Sequence, residues 1–215
     1  EVIGSWGGRI VVVDDGSTDP AAVDLFSKAK TLGCTVLTHA ENRGKGAALK
    51  TAFSWCLDNA SETFVGAVTA DADGQHLVPD ILATRDALLA HPDDLVLGCR
   101  DFSADDVPAR SKTGNRTMCL AMRAFFGMQL SDTQTGLRGI PASFMRDLLS
   151  VPGDTYAFET NMLIEAHNDG MGITEIPIAT VYENDNEGSH FNPLLDSLRV
   201  AAVFIRYALS STASS

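Results

Sequence analysis

Two apolar runs that each end in a pair of carboxylates constrain this chain more than any other feature. "RIVVVDD" (residues 9–15) and "TFVGAVTADAD" (63–73) are rich in β-branched and small apolar residues, and they stop at Asp14-Asp15 and at Asp71 and Asp73. A run without polar alternation reads as a strand covered on both faces, the habit of a parallel sheet packed between helices. The intervening segments supply the helices. "PAAVDLFSKAKTLG" carries Pro20 in its first turn behind Ser17, Thr18 and Asp19 as caps, and Gly33 at its end. The strand "CTVLTHA", the helix "GKGAALKTAFSWCLDNA", a helix from Pro79 to Ala90 and the strand "DLVLGCR" continue the alternation. The pattern predicts an α/β fold, a mainly parallel sheet flanked by helices. Ligands of such sheets bind beyond the carboxyl ends of the strands, so both acidic pairs are expected at one rim.

Beyond residue 100 the alternation weakens. "DFSADDVPARS" reads as a loop, "KTGNRTMCLAMRAFFG" as a helix and "SDTQTGLRGIP" as turns; "YAFETNMLIEAHNDG" is a helix, and "ITEIPIATVYEND" a strand entering a loop. This implies a first half over residues 1–100 and a smaller lobe over 101–192 closing on it, followed by 193–215. In that last segment Arg199 and Arg206 interrupt "LLDSLRVAAVFIRYALSS", which therefore reads as an amphipathic helix rather than a bilayer span. It is expected either to lie on an anionic membrane or to pack on the domain or a sister chain. Sixteen basic against 28 acidic residues give a net charge of -12, which argues against a nucleic-acid partner. Four cysteines, Cys34, Cys56, Cys99 and Cys119, lack metal-ligand spacing and read as free thiols in a reducing compartment. With no secretory signal, a cytoplasmic location is expected, with contact at the cytoplasmic face of a membrane.

The polar residues suggest a phosphate ligand. Asp71 and Asp73 stand at i and i+2, which on an extended strand aims both carboxylates the same way, and Gln75 continues that face. Such a hard oxygen set suits Mg²⁺ or Mn²⁺; the alternative is a plain surface turn. In "ENRGKGAALKTAF", Arg43 and Lys45 alternate with Gly44 and Gly46 at a helix start, a place that favours an anion, although it also reads as a glycine turn with solvated charges. The spacing is not that of a P-loop. Asp14 and Asp15 can accept hydrogen bonds from a base or ribose. Together these pieces point to a nucleotide diphosphate.

"VVVDDGSTD", "NRGKGAALKTAF" and "TADADGQH", in that order, resemble a family-2 glycosyltransferase of the GT-A fold. "PARSKTGNR", "SDTQTGLRGIP", "YAFETNML", "EIPIATVYENDNEGSHF" and "PLLDSLRV" extend the resemblance to the branch of dolichyl-phosphate mannose synthases and bacterial polyprenyl-phosphate glycosyltransferases. The resemblance covers nearly the whole chain. It implies a nucleotide-sugar-binding half at 1–100 and an acceptor-side half at 101–192. It places Asp14 and Asp15 at the nucleotide base, and Arg43 and Lys45 near base and diphosphate. Asp71 and Asp73 become the DxD pair at a Mg²⁺ or Mn²⁺ ion, joined by Gln75, with His190 reaching the diphosphate or the metal when the last loop closes. Arg110, Ser111 and Arg123 fall where the branch holds the acceptor phosphate, and Asp132 and Arg138 flank the sugar end of the cleft. One departure stands out. Relatives open with a strand bearing a Pro-x-x-Asn-Glu-like motif, whereas this sequence begins "EVIGSWGGRIVVVDD", so that first strand is expected to be missing.

The implied activity is transfer of a sugar, with inversion, from a UDP- or GDP-linked donor to a polyprenyl (dolichyl-type) phosphate. A phosphate monoester is already anionic and needs cations rather than a base, and Arg110, Lys112, Arg116 and Arg123 crowd one segment. A polysaccharide or other hydroxyl acceptor would instead need a carboxylate base, with Asp132 or Glu159 as candidates. A non-catalytic nucleotide-sugar-binding module is the alternative of another class. A Rossmann oxidoreductase is disfavoured, because no GxGxxG follows the first strand.

Overall fold

A computed structural model describes residues 2–103 and 107–179. In chain order the elements are α1 (Val2–Trp6), β1 (Val11–Asp14), α2 (Pro20–Thr31), β2 (Thr35–Thr38), α3 (Lys45–Asp58), β3 (Gly66–Thr69) and α4 (Val78–Ala90). They are followed by β4 (Leu95–Arg100), α5 (Ala109–Phe126), β5 (Arg138–Pro141), α6 (Ala142–Leu148), α7 (Ala157–Asn168) and β6 (Ile173–Ile178). Local signals behave as the sequence suggests. The Asp19 carboxylate accepts the Ala21 N–H at 2.8 Å to cap α2, Pro20 opens that helix, and Gly33 turns the chain at φ 90° toward β2.

The strands form two hydrogen-bonded groups. β1 and β2 pair in parallel, and β3, β5, β4 and β6 form a four-stranded sheet in that order. Among the described residues, β1 pairs only with β2 and β3 only with β5, so each has one edge without a strand partner. In the larger sheet β4 and β6 are parallel, while β5 runs antiparallel to both β3 and β4. The mainly parallel α/β architecture is therefore present, with one reversed strand near its centre.

That strand corrects two expectations. The stretch read as turns contains β5 and leads directly into α6, whose N-cap is Pro141. "RGIP" carries little strand propensity, but β5 is held on both sides and all four of its residues are buried, so the tertiary setting overrides the local preference. Because β5 lies between β3 and β4, residues beyond 100 help to build the central sheet rather than a lobe laid over it.

The core sits between β4 and the helices α3, α6 and α7. Leu95 and Leu97 of β4 pack with Phe53, Phe144, Phe158 and Met162. At about 1.5–3 kcal/mol for each large apolar side chain removed from water, this cluster is the main stabilising feature of the larger sheet. α3 contacts β1 as well as α6 and α7, and so ties the two-stranded group to the four-stranded one.

Candidate active site

The reversal of β5 decides which residues meet. β1 and β3 end where Asp14, Asp15 and Asp71 begin, β4 ends at Arg100, and β5 starts at Arg138, paired with Thr69 at the last position of β3. An antiparallel strand begins where its neighbours finish, so the "DTQTGLR" segment reaches the same rim as the strand-end carboxylates. The Thr69 hydroxyl donates to the Gly136 carbonyl at 2.9 Å and fastens that segment to β3.

At this rim the Lys45 ammonium bridges two carboxylates, lying 2.8 Å from Asp71 Oδ1 and 3.0 Å from Glu159 Oε1. Burial opposes its charge, but Glu159 and Asp71 outweigh that and raise its pKa above the ordinary lysine value. Asp71 behaves conversely. Burial favours its neutral form, yet His76, with Nε2 3.7 Å away, and Lys45 hold the carboxyl well below the usual carboxylate range. Gly136 makes room for this arrangement: a Cβ there would come within 2.3 Å of Asp71 Oδ2 and 3.0 Å of Lys45 Nζ.

The expected nucleotide side is assembled differently from the sequence reading. Both oxygens of Asp15 are engaged inside the protein, by the N–H groups of Arg43 (2.9 Å) and Gly44 (2.8 Å) and by His39 Nδ1 (2.6 Å). Burial works against its ionisation, but the Arg43, His39 and Gly44 contacts lower its pKa. His39 is itself buried and reaches the Thr51 hydroxyl at 2.9 Å through Nε2. Asp14 accepts the Ser17 N–H in the turn after β1. The glycines beside Arg43 and Lys45 answer to packing. A Cβ on Gly44 would meet the Asp154 carbonyl at 2.3 Å, one on Gly46 would meet Phe158 Cβ at 2.7 Å, and the Ala47 N–H donates to the Asp154 carbonyl. Several donors of the expected phosphate cradle are thus spent within the protein, while the Arg43 side chain faces solvent.

Asp132 and Arg138 are both buried. Arg100 grips Asp132 in a fork, with Nε to Oδ2 at 2.7 Å and Nη2 to Oδ1 at 3.1 Å, and the Gln134 N–H adds a third bond. Arg138 donates to the carbonyls of Thr135 (3.0 Å), Glu159 (2.7 Å) and Thr133 (3.4 Å), and burial lowers its pKa. Asn115 of α5 holds the same segment through the Ser131 carbonyl and the Thr133 N–H. These side chains brace the 131–136 segment that carries Gly136.

Other expected groupings are not brought together. β3 ends at Thr69, and Asp73 lies in a turn where it accepts the Gln75 N–H at 3.0 Å, with Gly74 at φ 84°. The extended geometry expected to align Asp71, Asp73 and Gln75 therefore stops short of them, and the Asp-x-Asp-Gly segment has turn chemistry. Arg110, Ser111 and Arg123 share α5, but positions 110 and 123 lie near opposite ends of it, about 20 Å apart along the axis, so the backbone does not group the three. His190 and the 193–215 segment lie outside the described residues. Sequence reading missed the hold of Glu159 on Lys45, the fork of Arg100 and the part played by Gly136. Only Gly136 left a signal, as the glycine inside "DTQTGLR". The four thiols are free, and burial, with Asp132 nearby, pushes Cys119 up to about 11.

A carboxylate-rich rim at the strand ends of a mixed α/β domain with flanking helices is the architecture of GT-A glycosyltransferases. The family model for glycosyl transferase family 2 matches residues 9–149, and the chain belongs to that family. It is 30% identical over 177 residues to the polyprenol monophosphomannose synthase of Mycolicibacterium smegmatis, covering 79% of this chain and 65% of that protein. It is 28% identical over 196 residues to the UDP-N-acetylglucosamine–dolichyl-phosphate N-acetylglucosaminyltransferase of Methanococcus voltae, covering 81% of this chain and 75% of that protein. Among solved structures, mannosyl-3-phosphoglycerate synthase from Rubrobacter xylanophilus superposes with a TM-score of 0.67 at 17% identity, over 97% of this chain and 65% of that one. Glucosyl-3-phosphoglycerate synthase from Mycobacterium tuberculosis, in complex with Mn²⁺, UDP and glucosyl-3-phosphoglycerate, superposes with a TM-score of 0.61 at 20% identity, over 94% and 68%. The chain thus spans roughly two-thirds of the length of the synthases it matches.

Proposed function

We propose that this chain transfers a sugar, with inversion, from a UDP- or GDP-linked donor to a polyprenyl phosphate of the dolichyl type. The observation that carries the reading is the charged cluster of Lys45, Asp71 and Glu159 at the rim, within a family-2 glycosyltransferase whose relatives include proteins named for polyprenol and dolichyl-phosphate transfer. Membrane contact follows from such an acceptor; among the described residues no helix is long and apolar enough to cross a bilayer.

Each residue then has a task. Lys45 offers a cation to the donor diphosphate, and the exposed Arg43 beside it adds a second. Asp71, kept ionised by its neighbours, and the exposed Asp73 two residues on are the carboxylates that would hold Mg²⁺ or Mn²⁺, with Gln75 as a third contact. The oxygen donors suit such an ion in kind, although the 73–75 turn does not align all three on one point. Among the described residues there is no cage of three or more protein ligands, and these metals commonly take one or two carboxylates and complete their shell with waters and substrate phosphates. When bound, the ion would neutralise charge on the departing nucleotide diphosphate. Arg110 and Ser111, in the first turn of α5, are the groups left for the acceptor phosphate once Arg123 is set apart. Its oxygen would attack the anomeric carbon opposite the breaking bond to the diphosphate, inverting that centre. A hydroxyl acceptor is less well served. Asp132 is held by Arg100 and Glu159 by Lys45, so both candidate bases are already engaged as acceptors.

Calorimetric titration of UDP and GDP, with and without Mn²⁺, into wild type and Asp73→Ala tests the donor half. Metal-dependent binding of one nucleotide, weakened at least about tenfold in the variant, is expected and selects the base. Equal binding in both proteins would remove Asp73 from the site. Turnover with a short polyprenyl phosphate separates an enzyme from a binding module.

A further inference from the structure

Among the described residues Lys45 has two anionic partners, and they differ in depth. Glu159 is the more enclosed, with 11% side-chain exposure against 35% for Asp71, and the ammonium between them is 22% exposed. The Lys45–Glu159 pair sits inside the rim, whereas Asp71 forms its outer face. The backbone at Glu159 is held by Arg138, whose Nη1 donates to its carbonyl at 2.7 Å, and the ring of the exposed Tyr156 lies 5.8 Å from Lys45 Nζ. Gly136 packs against Asp71, since a Cβ there would come within 2.3 Å of Oδ2, and of the two paired side chains Asp71 is the short one and Lys45 the long, flexible one. A cation arriving at Asp71 therefore meets an ammonium already there, and the ammonium is what can yield.

We propose that Glu159 is a positioning residue that retains Lys45 when a divalent cation takes Asp71, so that Lys45 acts as a movable counter-charge between an unliganded state on Asp71 and a loaded state turned toward the diphosphate. The inference rests on the reading of Asp71 as a metal-binding carboxylate. Without Glu159, the ammonium would have to leave its one remaining anionic partner among the described residues, and it would compete harder with the metal. With Glu159, leaving Asp71 exchanges a shared ion pair for a single, more enclosed one. The same movement places Lys45 where donor phosphate arrives. Its removal should thus affect metal and nucleotide in opposite directions, which a purely structural lysine would not do.

The test is Mn²⁺ binding without nucleotide, read by electron paramagnetic resonance of the free ion, for wild type, Lys45→Met, Glu159→Gln, the double variant and Asp71→Asn. Lys45→Met should tighten Mn²⁺ about tenfold while weakening UDP or GDP, and Glu159→Gln should weaken Mn²⁺ about fivefold in the presence of Lys45 but less than about twofold in its absence. Equal effects of Glu159→Gln in both backgrounds, or unchanged Mn²⁺ affinity in Lys45→Met, would overturn the counter-charge role. The Lys45→Met arm stands alone if Glu159→Gln does not fold. Wild-type Mn²⁺ affinity in Asp71→Asn, or no Mn²⁺ binding by either wild type or Lys45→Met, would overturn the metal reading of Asp71 and this inference with it.

Discussion

Gly136 shows how closely single atoms set this rim. Its backbone passes beneath Asp71, and a methyl group there would overlap the carboxylate. Asp71 has a short side chain and is already anchored by Lys45, so it cannot swing away without losing the ammonium. Gly136→Ala is therefore expected to weaken nucleotide binding in the presence of Mn²⁺ by about tenfold or more, with a smaller effect on stability, of about 1–2 kcal/mol, because the clash falls on the carboxylate rather than on the core. Calorimetry beside thermal melting distinguishes the two. A large loss of melting temperature with intact binding would place the strain in the β3–β5 pair instead. Asp15 and His39 act one step further from the rim, spending a strand-end carboxylate on the 43–44 backbone just before α3 starts at Lys45.

At the scale of elements, β5 organises the site, and its start is governed by Arg138. Arg138 is 1% exposed, and its guanidinium gives its donors to three carbonyls on two segments, linking the 133–135 turn to α7. Arg138→Met keeps much of the volume but leaves those carbonyls without their donor. A stability loss of at least about 2 kcal/mol is expected, the Thr133 and Thr135 carbonyls left without this donor outweighing the relief of burying a charge, and it should appear as a melting temperature lower by roughly 5 °C or more. Unchanged melting with lost transfer would return Arg138 to a direct role at the sugar. This helps to explain what the sequence could and could not disclose. Strands such as "RIVVVDD" and "DLVLGCR" were legible because parallel burial writes itself as an apolar run, and "DTQTGLR" stood out as a motif. β5 and α6 were not, since "RGIP" owes its strand to neighbours on both sides rather than to its own residues. The ends of β1 and β3 identified Asp15, Asp71 and their common rim. The partners Glu159 and Arg100 come from distant segments, and no local pattern announces them. The reach of α5 was legible in its length, yet grouping Arg110 with Arg123 ignored the rise of the helix between them.

For the whole molecule, the net charge of -12 is only part of the response to pH, because individual carboxylates are held in the ionised form by fixed partners. Asp71 and Asp15 both have folded pKa values below the ordinary 3.8. Their contribution to stability is complete above the unfolded value of about 4 and is lost as pH falls further, since the unfolded chain then takes up protons that the folded chain resists. Lys45 has the opposite sign. Its raised pKa gives a contribution that is complete below about 10.5 and disappears as pH rises beyond that. Urea midpoints should therefore hold steady from about pH 6 to pH 9, fall steeply below pH 4 and decline again above pH 10.5. Asp71→Asn should lower the plateau and flatten the acid limb, leaving the smaller slope that belongs to Asp15. It should also remove part of the alkaline decline, because Lys45 then keeps only Glu159. If the acid limb were unchanged in Asp71→Asn, the Lys45–Asp71 pair would not contribute to folding, and its place at the rim would be explained by ligand binding alone.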